Sequence, residues 1–106
     1  MIVVMTKFPL NPEYVEAFKQ RVIEKFGEKG LTDQPGFVKM NILEPKNIPG
    51  MPENNTFIIE TLWETMEDFI NYTRSEAFRE AHKDNPPKEM FQGKLSVEVY
   101  EIIKEK

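Results

Sequence analysis

The chain holds one histidine, His82, and no cysteine among its 106 residues. Those two facts remove most of the chemistry that proteins run through side-chain nucleophiles and protein-built metal centres. Disulfides, thiolate ligands and thiol nucleophiles are excluded, and a conventional zinc site lacks the histidines it needs. A Ser-His-Asp triad can run only through His82, and no nucleophile-elbow motif supports one. The five glycines are scattered, and "GEKG" has no P-loop setting. Carboxylates are abundant, but those in "PEYVE", "VIEKFGEK" and "EVYEIIKEK" read as solvated faces. The six methionines are scattered as gap fillers rather than ligands. Chemistry therefore turns on His82. Phe78 lies four residues before it and Ala81 is adjacent, so a helix through "SEAFREAH" sets the imidazole beside an apolar stripe. There it can look into a space between helix and sheet. The helix macrodipole also favours histidine in a last turn, which would make it an ordinary surface residue. Periodicity leaves both open.

The elements around His82 are legible from pattern. Residues 2–8 are rich in β-branched and aromatic residues and predict a strand ending at Pro9, with Val4, Thr6 and Phe8 on one face. "NPEYVEAFKQRVIEKFG" opens as a helix with Asn11 as N-cap and Pro12 in the first turn. Val15, Phe18, Val22, Ile23 and Phe26 form its apolar stripe, and Gly27 or Gly30 ends it. "GFVKMNIL" (36–43) alternates as a second strand, and "EPKNIPGMPENN" (44–55) is a long loop. "TFIIETLW" (56–63) reads as a central strand, closed by Trp63 as a core or interface aromatic. Thr65 and Asp68 form a capping box that starts a helix, and Thr73 with Glu76 predicts a restart. "LSVEVYEII" (95–103) is a last alternating strand.

The order is β-α-β-β-α-β, which predicts a single α+β domain over residues 1–106. It is the ferredoxin-like arrangement, a four-stranded antiparallel sheet with helices on one face. The strands carry apolar residues on both sides, and an uncovered apolar face predicts a homodimer. A net charge of -4, with acidic and basic residues interspersed, argues against nucleic acid. No apolar run approaches the roughly 20 residues of a membrane span, and the N-terminus has no basic leader. The expected setting is the cytoplasm, which leaves the sequons at Asn54 and Asn71 without weight.

"TLWETMEDFINYTRSEAFREAHK", residues 61–83, resembles the heme-degrading monooxygenases of the antibiotic biosynthesis monooxygenase superfamily. Their pattern here is a strand ending in Trp, a capped helix and then Lys/Arg-Ser-x-x-Phe-x-x-Ala-His. The chain reads Arg74-Ser75-Glu76-Ala77-Phe78-Arg79-Glu80-Ala81-His82. The "PGF" before the second strand and the tyrosine in the last strand fit as well. The resemblance implies a dimeric α/β barrel and heme as both substrate and cofactor. It further implies dioxygen, an external electron donor, and His82 as the axial metal ligand. It puts Tyr72 where the family carries Trp against the macrocycle, with Phe78 beside it. Thr6 falls where the family carries an asparagine near the open side of the iron, and a slip of one residue would bring Lys7 there. Arg74, Arg79 and Lys83 are the cations available to heme propionates. Two alternatives remain. One is a cofactor-free monooxygenase acting on a quinol or aromatic, with His82 or Tyr72 as base. The other is a non-enzymatic dimeric barrel, a stress or ligand-binding protein whose pocket is filled by Phe8, Phe69 and Phe78.

Overall fold

The computed structural model describes residues 1–25, 30–83 and 85–106. Strands β1 (Ile2–Pro9), β2 (Phe37–Leu43), β3 (Thr56–Trp63) and β4 (Ser96–Glu101) form one sheet in the order β2-β3-β1-β4. Its three pairings are antiparallel. The two most apolar strands hold the centre, as burial on both faces requires. Helices α1 (Val15–Lys25), α2 (Met66–Thr73) and α3 (Glu76–Ala81) cover one face. The ferredoxin-like α+β architecture expected from the element order is therefore the observed one.

Period-two alternation sorts the central strands by face. Ile2 and Val4 of β1, with Phe57, Ile59 and Trp63 of β3, point to the helices and are buried. They join two separate apolar clusters. One gathers Ile2, Val4, Leu31, Trp63 and Tyr72 under α2 and α3, and the other gathers Leu10, Phe18, Val22, Phe57 and Ile59 under α1. Trp63 and Phe18, 0% and 1% exposed, anchor one cluster each. Complete burial of such a side chain contributes about 1.5–3 kcal/mol. The two clusters leave a gap between them above the middle of β1, and Thr6 lies there.

Several boundaries differ from expectation for identifiable reasons. Pro12–Tyr14 forms a 3-10 turn before α1. The Asn11 side chain makes no cap bond and instead donates to the carbonyls of Glu89, at 2.9 Å, and Phe91, at 3.3 Å. Ile23 is 60% exposed, because one residue past Val22 rotates about 100° off the stripe. Phe26 and Gly27 lie outside the described residues. Gly30, at φ 79°, opens a 3-10 turn over Leu31–Asp33. The restart before α3 is capped by Ser75, not Thr73. The Thr73 hydroxyl is spent on the Ile70 carbonyl at 2.6 Å, whereas the Ser75 oxygen accepts from Phe78 N at 3.1 Å. The Thr65–Asp68 box forms as read, with Thr65 Oγ1 accepting from Asp68 N at 3.1 Å. Gly36 sits against it at φ 80°, where any Cβ would collide with the Asp68 side chain.

Candidate functional site

The gap between the clusters is a cavity of about 630 Å³. That is within the usual size of a small-molecule pocket, roughly 300–1,000 Å³. A smaller space of about 330 Å³ adjoins it and shares Thr6, Phe8, Ile59, Tyr72 and His82 as lining. Sheet and helices contribute different chemistry. Thr6 and Ile59 come from the strands, Phe18 and Val22 from α1, Tyr72 from α2 and His82 from the end of α3. The predicted residues Thr6, Tyr72, Phe78 and His82 are thus brought together, Phe78 through the smaller space.

His82 caps α3 at its C-terminal end. The imidazole stacks on Phe78, with ring centroids 4.0 Å apart and planes 28° from parallel. Its Nδ1 lies 2.8 Å from the Phe78 carbonyl oxygen. A carbonyl can only accept, so Nδ1 carries the proton and a neutral ring has its lone pair on Nε2. One residue, four positions earlier on the helix, thereby sets both the tilt and the tautomer of the only imidazole. His82 is exposed rather than buried, and the exposed ring still borders both spaces.

Tyr72 is 9% exposed. It stacks on Trp63 at 5.2 Å and meets Phe78 edge-on at 5.4 Å, so the aromatic series Trp63–Tyr72–Phe78–His82 runs unbroken from core to site. Burial pushes the Tyr72 phenol above its ordinary pKa, which works against a role as base. The register pairs Thr6 with Ile59 and Val97, on the cavity side. Lys7 faces the other way and pairs with Glu98 at 2.9 Å, which holds the ammonium above its ordinary pKa.

Among the described residues, three cations line the cavity. Lys83 lines it, but Arg74 and Arg79 do not; Arg79 binds Glu76 at 2.6 Å. Arg21 and Lys25 of α1 take their place. The spacing held that signal, since 18, 21, 22 and 25 fall at i, i+3, i+4 and i+7 on one helix face. Glu80 bonds Lys83 at 2.7 Å and holds its ammonium above the ordinary value. The filled pocket of the non-enzymatic alternative is not found, because Phe8 lines an open cavity and Phe69 and Phe78 border its neighbour. None of residues 44–55 lines either space.

No group of three or more His, Cys, Asp or Glu able to hold a metal occurs among the described residues. A metal here would therefore not be held by three or more such side chains of the described residues. The family model for antibiotic biosynthesis monooxygenases matches residues 1–84. The chain belongs to the antibiotic biosynthesis monooxygenase family. The family expected from the His82 segment is borne out, and the expectation of an oxygenase with it.

Known relatives of this monooxygenase include a heme-degrading monooxygenase of Halalkalibacterium halodurans, 30% identical over 87 residues. That match covers 80% of the chain and 72% of the relative. A heme-degrading monooxygenase of Bacillus cereus is 35% identical over 63 residues, and the chain spans only 56% of its length. Among solved structures, the heme degrader MhuD of Mycobacterium tuberculosis, with two hemes in its active site, superposes with a TM-score of 0.74 at 17% identity. That superposition covers 100% of this chain and 99% of MhuD.

Proposed function

We propose that this monooxygenase binds heme in the cavity between α1, α3 and the sheet and degrades it with dioxygen and an external reductant. The observation that carries the reading is the His82 ring, whose Nδ1 is committed to the Phe78 carbonyl at 2.8 Å, so that Nε2 is available at the edge of a 630 Å³ cavity. An imidazole at a cavity where the described residues form no cluster of three or more metal-binding side chains suits a metal that arrives already held by a macrocycle. The names of the Halalkalibacterium and Bacillus relatives support the same substrate.

When bound, heme supplies the iron that activates dioxygen and is itself the molecule cleaved. His82, oriented by the Phe78 carbonyl and ring, would hold the iron through Nε2. Tyr72 presents a flat wall, backed by Trp63. Thr6 offers a hydroxyl from the sheet. Arg21, Lys25 and Lys83 stand where propionate carboxylates would be drawn.

Residues 1–106 act as one domain in a homodimer. The sheet face away from the helices carries Val3, Met5, Ile58 and Leu62 at its centre, with Leu43 and Tyr100 exposed beside them. No described helix covers that face, and a second copy is its simplest cover. Sedimentation should give twice the 12.5 kDa chain mass, and a monomer at micromolar concentration would refute the dimer. The setting proposed is the cytoplasm, which is kept reducing and can supply electrons. No helix among the described residues is long and apolar enough to cross a membrane.

Titration with hemin should raise a saturating Soret band, and ascorbate in air should then bleach it. Absorbance no greater than hemin gives with an unrelated protein would sink the proposal. A stable band that ascorbate leaves intact would restrict the function to binding.

A further inference from the structure

Tyr72 has a feature that a flat wall does not need. Its ring is nine-tenths buried between Trp63 and Phe78, yet its hydroxyl bonds to no described residue. No buried side-chain oxygen or nitrogen among the described residues lacks a partner, so this hydroxyl is not sealed in protein. It opens onto the spaces Tyr72 lines together with Thr6 and His82. A phenol that no described residue accepts from keeps its donor for whatever occupies the cavity. Phenylalanine would supply the same stacking but no donor.

We propose that Tyr72 donates a hydrogen bond to a small acceptor co-ligand at the open side of the heme iron, and so sets which co-ligands the site holds. The inference rests on the heme reading of the cavity and adds a donor to it. Two observations support a donor rather than an acceptor. Burial keeps the phenol protonated, and stacking on Trp63 fixes the direction in which the ring presents its oxygen. His82 comes from the end of α3, whereas Tyr72 stands on α2 with its ring against the end of β3, so ligand and donor are held by different elements. In heme proteins the donors and polarity of the open side decide between storing, activating and excluding small ligands.

The test uses hemin-loaded wild type and Tyr72→Phe, with azide as probe of the ferric state and carbon monoxide of the ferrous state. Loss of a hydrogen bond to a charged acceptor should weaken azide about tenfold in the variant. The C–O stretch should move to higher frequency, as it does when a donor to the carbonyl oxygen is removed. Tyr72→Phe removes no bond to a described residue, so its Tm should match wild type and exclude misfolding. Azide affinities within about twofold, with an unmoved C–O stretch, would overturn the Tyr72 proposal while leaving heme binding in place. Failure of wild type to take up hemin would instead overturn the reading beneath it, and Tyr72's role with it.

Discussion

His82→Ala protein titrated with hemin should give no Soret band of an imidazole-ligated heme, while wild type should. Losing a supporting partner of a metal ligand costs about 10–100-fold in affinity, so losing the ligand itself should cost at least about 100-fold. Most of the cavity and its cations are supplied by other residues, so hemin should still enter weakly, without a bond to His82. His82 is exposed and follows α3 rather than packing in the core, so the substitution should change stability by only about 0.5 kcal/mol. That separates a lost ligand from a lost fold. Free imidazole should restore the band in the alanine variant by filling the space the side chain leaves. A band unchanged in position and intensity in His82→Ala would show that some other group holds the iron.

The same contrast between fold and ligand explains what was readable in the sequence. Strand and helix order depends on period and capping, both local, and β3 over Thr56–Trp63 emerged with the bounds read from it. The restart before α3 was legible, but its cap was displaced from Thr73 to Ser75. Both are good N-caps, and only the geometry reveals that Thr73 already bonds back into α2. Thr6 faces the cavity because the β1–β3 register places it opposite Ile59, which fixes the side that strand alignment alone left open to Lys7. The cations were the weakest reading. Arg74 and Arg79 are near His82 in sequence, whereas Arg21 and Lys25 reach the cavity from α1; their spacing shows that they share a face with Phe18 and Val22, but not that this face meets His82. Likewise, the bond from His82 to the Phe78 carbonyl depends on a rotamer, not on a residue type.

Trp63→Ala should cost about 3–5 kcal/mol, the range for truncating a buried aromatic residue. Trp63 is wholly buried and packs against Phe37, Phe69 and Tyr72 at 5.5, 5.9 and 5.2 Å, so no neighbour can close the space without moving. Its Nε1 also donates to Thr61 Oγ1 at 2.9 Å, a bond the truncation removes. For a domain near this size each kcal/mol lowers Tm by roughly 4–8 °C, so a fall of more than about 12 °C is expected. Trp63→Phe keeps a ring against Tyr72 and should lose markedly less. The two variants also separate packing from function. Tyr72 takes its orientation from Trp63, so hemin affinity should fall in Trp63→Ala even below its transition temperature, where most molecules remain folded. In Trp63→Phe hemin affinity should stay near wild type. A large loss of affinity in Trp63→Phe at unchanged Tm would mean that the indole itself reaches the ligand, contrary to its complete burial behind Tyr72.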